Sequence, residues 1–322
     1  MISNTSVYPI SSALFWKAYL VQMRPYLLFV SGVAGLAGMT LNPQFSIDNW
    51  RIYVGFIPFF LGYGFGQALT DCFQTDTDKL SAPYRPLSQG IISVRQTLIV
   101  SISGLLTCAV ILWYLNIYAF LLTGLSVFGL ATYSKVKKNI TLAGPFYNAW
   151  IVALLPIMGY FSVSQNGPLS LLPEIWFYAF VSFFSYASFV LVGYLKDIDA
   201  DRTTGYKTFP VIYGWQKTIF LSDLFAALTA TFFWFGFRHH LAGTLAGLLA
   251  TLVIVYGQYK GHLTNQRNEK GALLSILSTV RSFVLFHLAL VLHFQPDVWV
   301  AAIFFYIAFE IFLLKRPSKY QV

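Results

Sequence analysis

The stretch TDCFQTDTDKLSAPYRPLSQG, Thr70 to Gly90, places three aspartates directly after the apolar run Val54–Leu69. An apolar run of this kind suits a hydrocarbon core about 30 Å thick. A charged side chain at the centre of a membrane helix costs roughly 2.5–3.5 kcal/mol, and such residues usually face a hydrated cavity and have partners. The stretch therefore predicts a membrane helix that ends at a polar site.

The composition of the whole chain also indicates a membrane protein. Of 322 residues, 57% are hydrophobic and only 10% are charged, which no water-soluble domain of this length needs. The apolar runs are long, which favours helices over the shorter, alternating strands of a barrel. We predict an all-α, polytopic membrane helical bundle of nine to ten transmembrane helices, forming a single domain over residues 1–322. The predicted spans are Pro25–Leu41, Val54–Leu69, Thr97–Leu115, Tyr118–Tyr133, Pro145–Val163, Ile175–Leu195, Thr218–Phe237, Leu241–Tyr259, Ser275–Phe294 and Val298–Leu314.

The net charge of +9 indicates the orientation of the chain rather than a nucleic-acid surface. With a cytoplasmic N-terminus, all of the 21 basic residues except Arg51 and Arg238 lie on the cytoplasmic side, which is the positive-inside pattern. Two acidic loops, residues 70–90 and 196–214, fall on the same side. We therefore predict a multi-pass protein in contact with membrane lipids and not with nucleic acid, with its N-terminus and acidic loops cytoplasmic.

The first acidic loop predicts a face of oxygen ligands. If the helix continues past Leu69, Asp71 and Asp78 lie seven residues apart on one stripe. Gln74 falls between them on that face, and Asp76 turns away. The alternative is a set of solvated loop charges. Solvated loop charges would explain a lone aspartate. They explain three aspartates less well when a second acidic cluster lies on the same side of the membrane.

The second acidic loop, KDIDADRTTGYKTFPVIYG from Lys196 to Gly214, places Asp197 and Asp201 four residues apart on one helical face. Like charges at this spacing repel, so a cation must compensate them. Mg²⁺ is the natural candidate, because it takes hard oxygen ligands and completes its shell with water and substrate phosphate. The two acidic loops follow a similar pattern of residues, which indicates two pseudo-repeated halves. Such halves would bring both loops to the same end of the bundle. The predicted metal ligands are Asp71, Gln74, Asp78, Asp197 and Asp201.

Both loops resemble the motifs of the UbiA superfamily of intramembrane prenyltransferases. The family's first motif, Asn-Asp-x-x-Asp-x-x-x-Asp followed by Pro-x-Arg-Pro-Leu-x-x-Gly, is matched by Thr70, Asp71, Gln74, Asp78, Pro83, Arg85, Pro86, Leu87 and Gly90. The second, Asp-x-x-x-Asp followed by Gly and a Lys-Thr-x-Pro stretch, is matched by Asp197, Asp201, Gly205, Lys207, Thr208 and Pro210. A third, Tyr-x-x-x-Lys, is matched by Tyr133 and Lys137. Three motifs in order on one membrane face make the resemblance specific.

The resemblance implies a Mg²⁺-dependent transferase. A prenyl diphosphate would lie with its tail in the apolar bundle and its head at the acidic mouth. Mg²⁺ would stabilise the departing diphosphate while the allylic carbocation alkylates a lipophilic acceptor. The residues expected to act in catalysis are Asp71, Asp78, Asp197, Asp201, Tyr133 and Lys137. Those expected to bind substrate are Thr70, Gln74, Arg85, Lys138, Asp199, Lys207, Arg24 and Asn148.

Two departures from the family motif leave other functions open. Thr70 stands where the family has Asn, and Gln74 stands where it has Asp, which removes one negative charge and keeps a carbonyl ligand. The second change predicts weaker Mg²⁺ binding or an altered reaction. One alternative function is a terpene cyclase of the same fold, in which the ionised chain attacks itself without an acceptor. Another is a non-catalytic transporter or lipid-binding protein.

Small and polar residues inside the apolar runs predict where helices contact one another. Pairs of glycines four residues apart predict closely approaching helix backbones, and they occur at Gly62 and Gly66 and at Gly243 and Gly247. Arg281 is expected either at the site or in a helix–helix contact. Glu310 lies in a tenth helix, beyond the nine usual in the family that the chain resembles.

Overall fold

The computed structural model describes residues 7–141, 143–236 and 240–316. Within these ranges the chain forms thirteen α-helices and no strand. The helices are α1 Ala13–Gln22, α2 Pro25–Leu41, α3 Trp50–Asp71, α4 Thr75–Ser81, α5 Val94–Leu115, α6 Ile117–Asn139, α7 Ala143–Ser162, α8 Ile175–Tyr194, α9 Ile198–Thr203, α10 Phe209–Gly236, α11 Leu241–Leu263, α12 Glu269–Phe294 and α13 Trp299–Leu314. Phe237, the predicted end of one span, and Arg238, a predicted outer charge, lie outside the described residues.

The predicted all-α membrane bundle is confirmed. Eight described helices are long and apolar enough to span a membrane, and α1 and α2, bent by 61° at the break between them, make a candidate ninth span. α7 is a further helix of 20 residues in the bundle. Several helices extend beyond their predicted spans, as α6 does through Lys137 and Lys138. The side chain of Lys138 is partly exposed, as expected for a long basic side chain at a helix end, whereas that of Lys137 is buried.

Nine of the described helices form a closed ring. In chain order, α2, α3, α5, α6, α7, α8, α10, α11 and α12 each pack against the next, and α12 packs back against α2. α2 also packs against α7, and α8 against α12. The short helices α4 and α9, which belong to the two acidic loops, contact each other. The ring therefore brings both acidic loops to one end of the bundle.

The backbones of α2 and α7 are in contact where these helices cross. A Cβ atom added to Gly38 would lie 1.8 Å from the carbonyl oxygen of Pro156. One added to Gly159 would lie 2.1 Å from the carbonyl oxygen of Gly35. Small residues let membrane helices approach this closely, so glycine is required on both sides of the crossing.

The predicted close approach of helix backbones is found at Gly243, where an added Cβ atom would lie 3.0 Å from the carbonyl oxygen of Ala289. At Gly66 and Gly247 an added Cβ atom would instead lie 2.8 and 2.3 Å from the side chains of Leu130 and Phe233. The prediction is wrong at Gly62, where an added Cβ meets no atom within 4 Å. Gly62 faces a cavity instead of a helix.

The last helix, α13, is fixed to the bundle by one ion pair and a group of aromatic rings. Arg281 of α12 donates to both carboxylate oxygens of Glu310, at 2.7 and 2.8 Å. The Tyr306 hydroxyl donates to the same carboxylate at 2.9 Å. The ring of Phe29 in α2 lies 5.1 Å from that of Phe305. Of the two expectations for Arg281, the helix–helix contact is the one that the structure shows.

A substitution at the α2–α7 crossing tests this packing. Gly159→Ala should lower the apparent melting temperature in detergent, because overpacking a tight contact costs about 1–3 kcal/mol. Gly124→Ala is the matched control, since an added Cβ there meets no atom within 4 Å. Tryptophan fluorescence during heating measures both variants. Equal melting temperatures for the two would contradict the described crossing.

Candidate functional site

The first acidic loop is built on a broken helix. α3 ends at Asp71, and α4 begins at Thr75 after the N-cap residue Gln74. The helix continues past Leu69 only as far as Asp71, so the single helical stripe from Asp71 to Asp78 is not formed. The break nevertheless leaves the side chains of Asp71, Gln74 and Asp78 lining one polar cavity, because the short helix turns its first residues back toward the end of α3.

The polar cavity occupies about 670 Å³ between the ends of α3, α6 and α8 and the start of α2. Three carboxylates and four cationic side chains line it. The carboxylates are Asp71, Asp78 and Asp197, and the cations are Arg24, Arg85, Lys137 and Lys196. Gln67, Gln74, Tyr133, Asn148, Tyr186 and Tyr194 are among its other lining residues. Such a mixture of charges in a membrane protein marks a functional cavity.

Asp71 is the most heavily bonded of these carboxylates. It is 2% exposed and accepts hydrogen bonds from Gln22 at 2.6 Å, Arg24 at 2.8 Å and Gln67 at 2.8 Å. Arg85 lies 3.7 Å away. A buried carboxylate needs this number of donors to offset the loss of its hydration.

Arg24 reaches Asp71 from a strained backbone. Its φ of 54° lies in the left-handed region, which residues other than glycine seldom occupy. It stands at the bend between α1 and α2, directly before Pro25. The ion pair with Asp71 holds this conformation, so the bend of the chain and the site depend on each other.

Asp78 and Arg85 form the closest ion pair of the first loop, at 2.6 Å. Burial raises the pKa of Asp78, although Arg85 opposes the shift. Burial alone would lower the pKa of Arg85, but Asp78 and Asp71 hold it well above its ordinary value. Arg85 therefore stays charged, and its charge is shared between two carboxylates.

The two carboxylates of the second loop point to different places. Asp197 is the N-cap residue of α9 and lines the polar cavity, and its Oδ1 atom is buried without a hydrogen-bond partner. Asp201 is fully buried, accepts from the Thr208 hydroxyl at 3.0 Å and lies 3.4 Å from Lys137 Nζ. Burial raises the pKa of Asp201, and Lys137 opposes the shift. The repulsion expected at this spacing is therefore reduced by separation and by Lys137.

The two acidic loops contact each other directly. The hydroxyls of Thr77 and Thr204 lie 3.0 Å apart, and Tyr206 donates to Asp76 at 3.4 Å. Lys137 Nζ lies 3.5 Å from the Gln74 side-chain oxygen in the first loop. It also pairs with Asp201 in the second loop, so the end of α6 joins the two motifs.

The remaining predicted residues divide into those at the cavity and those outside it. The Tyr133 hydroxyl lies 2.7 Å from that of Tyr194, and Asn148 lines the polar cavity together with Tyr133. Thr70 is buried beside the deeper, apolar cavity and donates to the Gln67 carbonyl. Like Thr70, three further predicted substrate-binding residues do not line the polar cavity: Lys138 pairs with Asp76, Asp199 pairs with Arg202, and Lys207 is exposed.

An apolar cavity of about 810 Å³ adjoins the polar one. The two cavities share Tyr63, Gln67, Tyr133 and Asn148 as lining residues. The walls of the apolar cavity come from α2, α3, α5, α6 and α7 and are mostly aliphatic, and they include Leu105, Leu112, Leu130, Ile151, Leu155 and Met158. Together the cavities suit an amphiphile with a charged head and an apolar tail.

The sequence motifs missed several residues of the site. Gln22, Gln67 and Lys196 contact Asp71 or line the polar cavity. Gln67 lies one turn before Asp71, a spacing that predicts a shared helical face. Gln22 lies about fifty residues away in the chain, and no local pattern indicates its contact.

The donor chemistry of the polar cavity fits Mg²⁺. Within the described ranges, no group of three or more His, Cys, Asp or Glu side chains is close enough to hold a metal by itself. Mg²⁺ commonly takes one or two carboxylates and completes its shell with substrate phosphate and water. The buried, unpartnered Oδ1 of Asp197 offers such a ligand, and Asp71, Asp78 and the Gln74 amide oxygen line the same cavity.

An all-α membrane bundle with these joined cavities has the layout of an intramembrane enzyme for amphiphilic substrates. The model of the UbiA prenyltransferase family matches residues 31–280. The chain belongs to the UbiA prenyltransferase family. The class predicted from the motifs, an intramembrane prenyltransferase, is thereby confirmed.

Curated relatives and solved structures agree with this assignment. A digeranylgeranylglyceryl phosphate synthase of Thermococcus kodakarensis is 26% identical over 270 residues, which are 84% of this chain and 95% of the relative. The synthase of that name from Sulfurisphaera tokodaii is 28% identical over 210 residues, 65% of this chain and 74% of the relative. An apo UbiA homologue from Aeropyrum pernix K1 has a TM-score of 0.68 at 19% identity, covering 84% of this chain and 97% of its own. A UbiA homologue from Archaeoglobus fulgidus bound to GPP and Mg²⁺ has a TM-score of 0.63 at 18% identity, covering 84% and 99%.

Two aspartates of one loop provide a test of the site. Asp71→Asn should reduce diphosphate release from a prenyl diphosphate about 10²- to 10³-fold, as expected when an electrostatic group of an active site is lost. Asp76→Asn is the control, because Asp76 is half-exposed and pairs with Lys138 outside the cavity. Assays of diphosphate release by folded, detergent-purified variants measure the difference. Equal activity of the two variants would defeat the assignment of the cavity as the active site.

Proposed function

We propose that this protein transfers a prenyl group from a prenyl diphosphate to a glycerol-phosphate-type lipid, with Mg²⁺ as cofactor, in the polar cavity. The observation that carries the proposal is the junction of two cavities, a charged one that suits a diphosphate and an apolar one that suits a prenyl tail. The name shared by the curated relatives, which refers to glyceryl phosphate, supports this class of acceptor. We also propose that residues 1–322 act as one domain.

Arg85 and Lys137 are the proposed partners of the diphosphate head. They reach the polar cavity from different elements, the first acidic loop and the end of α6. Arginine binds phosphate oxygens in a bidentate manner, and lysine acts as a point charge. Arg85 would exchange its partner Asp78 for the diphosphate when substrate and metal bind.

Asp71, Asp78, Asp197 and the Gln74 amide oxygen are the proposed metal ligands. When bound, Mg²⁺ would supply the positive charge that neutralises the departing diphosphate. Asp201 lies behind Lys137, and its proposed role is to hold that lysine at the cavity. Tyr133, hydrogen-bonded to Tyr194, is proposed to orient the head where the two cavities meet.

The reaction breaks the bond between C1 of the prenyl group and the diphosphate oxygen, and the electron pair leaves with the diphosphate. A hydroxyl oxygen of the acceptor attacks the allylic cation and forms the ether bond, and its proton passes to the departing diphosphate. The aliphatic walls exclude water, which would otherwise quench the cation. The rings of Tyr63 and Tyr186 line the polar cavity and would stabilise the cation through their π-systems.

Lys196 is the proposed partner of the acceptor phosphate. It lines the polar cavity from the end of α8, next to Asp197. Burial lowers the pKa of Lys196, and the charges of Arg85 and Arg24 lower it further, while Asp197 opposes the shift. Because cations outnumber carboxylates on this cavity wall, a second anionic group beside the diphosphate would relieve their repulsion.

The orientation of the chain is also a proposal. The basic residues favour a cytoplasmic N-terminus, with the mouth of the polar cavity on the cytoplasmic side. Asp199 and Lys207, which are exposed at this end of the bundle, would then be accessible to cytoplasmic reagents only.

A product assay tests the acceptor. With geranylgeranyl diphosphate and Mg²⁺, a glyceryl phosphate carrying one prenyl ether should yield a second ether, and diphosphate release should depend on this acceptor. Lys196→Ala should raise the acceptor KM about 10- to 100-fold, as expected for a lost charge-assisted contact, with a smaller effect on the donor KM. A dephosphorylated acceptor is the control. Terpene products without acceptor would indicate a cyclase, and vesicle flux without diphosphate release would indicate a transporter.

Gln74→Asp tests the metal ligands. A restored carboxylate should lower the Mg²⁺ concentration needed for half-maximal activity about 3- to 10-fold, because hard cations bind anionic oxygens more tightly. Gln89→Asp adds the same charge to the same loop at an exposed position and is the matched control. Mg²⁺ titrations of both variants give the answer. An equal shift of the half-maximal Mg²⁺ concentration in both variants would indicate a general charge effect. Gln74 would then not be a metal ligand.

A further inference from the structure

Gly62 has no structural reason to be glycine. It lies inside α3, where glycine costs about 0.5–1 kcal/mol relative to alanine. Its backbone is helical, so no left-handed conformation requires it. A Cβ atom added to it meets no atom within 4 Å, so no close helix contact requires it either.

The space beside Gly62 belongs to the apolar cavity, of which Gly62 is a lining residue. Gly124 and Gly193 are the other described glycines with a helical backbone where an added Cβ meets nothing within 4 Å; Gly214 of α10 also meets nothing but has a φ of 80°. Gly124 is exposed on the outside of α6, and Gly193 lines the polar cavity. Among these three glycines of the described helices, Gly62 is therefore the one whose missing side chain leaves space in the apolar cavity.

Three helices give similar lengths for the apolar cavity. Its lining runs from Thr70 to Pro58 on α3, from Tyr133 to Thr123 on α6, and from Asn148 to Met158 on α7. At 1.5 Å of rise per residue, these segments are about 15–18 Å long. Their first residues line the polar cavity or lie beside it, and Met158 and Leu112, both buried, lie at the far end.

This length corresponds to a particular range of prenyl chains. An extended chain built from carbon–carbon bonds of about 1.5 Å advances about 5 Å for each isoprene unit. The apolar cavity therefore holds about three units beyond its junction with the polar cavity, and a fourth unit lies at the junction beside the diphosphate. Gly62 lies five residues from Gln67, about 7.5 Å along the axis, beside the middle of the second of these three units.

We propose that Gly62 determines the length of the prenyl chain that the enzyme accepts. It leaves open the space midway along the apolar cavity that any larger side chain would fill. The wild-type cavity is suited to a chain of about four isoprene units, the length of a geranylgeranyl group. This inference rests on the proposed function, because it takes the occupant of the apolar cavity to be the tail of a prenyl diphosphate.

The test measures binding rather than turnover. Geranyl and geranylgeranyl thiolodiphosphates, which resist ionisation, would be added with Mg²⁺ to wild type, Gly62→Ala, Gly62→Leu and the control Gly124→Leu. The concentration dependence of the apparent melting temperature gives each affinity. Leucine forms helices better than glycine, so the ligand-free melting temperature of Gly62→Leu should not fall.

Wild type and Gly124→Leu should bind the geranylgeranyl analogue more tightly than the geranyl analogue. Gly62→Leu should lose more than about tenfold in affinity for the longer analogue and keep its affinity for the shorter one, because the added side chain displaces only the distal units. Gly62→Ala should lie between them. The graded effect of one methyl group keeps the test decisive even if the leucine variant folds poorly.

Two outcomes would overturn the inference. Unchanged binding of the longer analogue by Gly62→Leu would place the tail elsewhere, and equal loss of both analogues would show a general defect of the site. Failure of the proposed function looks different. Wild type would then bind neither analogue, or would bind the longer analogue selectively and yet form no ether from geranylgeranyl diphosphate itself. The second result leaves the role of Gly62 intact.

Discussion

The structure depends on keeping the Asp71 carboxylate charged at the end of a membrane helix. A carboxylate removed from water loses several kcal/mol of hydration, and only well-placed donors restore it. Arg24, Gln22 and Gln67 supply these donors from the bend between α1 and α2 and from α3 itself. The requirement explains the strained backbone of Arg24, and it also ties the first helices of the bundle to the acidic loop.

From this constraint follows the layered arrangement of the site. Arg24, Arg85 and Lys137 pair with carboxylates before any substrate or metal binds, whereas the Oδ1 atom of Asp197 has no hydrogen-bond partner. Lys137 connects the two acidic loops because it lies between Gln74 and Asp201. Below this layer the cavity walls become aliphatic, which allows an anionic head and an apolar tail to occupy one continuous space. The ring of helices, drawn together where α2 and α7 touch, holds both layers in place.

Much of this arrangement could be predicted from residues near one another in the chain. The apolar runs predicted the helices, and the spacing of Asp71, Gln74 and Asp78 predicted a shared cavity even though the helix breaks between them. The same reasoning placed Asp197 and Asp201 on one face, whereas the structure turns only Asp197 toward the cavity. A helix of six residues is short enough for its N-cap side chain and the residue one turn later to serve different contacts.

The sequence by itself determined that this is a helical membrane protein with two acidic motifs and one basic motif of a prenyltransferase, because composition, apolar length and motif spacing are local properties. Tertiary structure alone decided which charges pair, which predicted residues lie outside the cavity, and which glycines serve packing. The ion pair of Arg281 with Glu310 and the open space at Gly62 both depend on atoms from other helices. Contacts between distant segments arise only when the ring closes, and no periodicity along the chain encodes them.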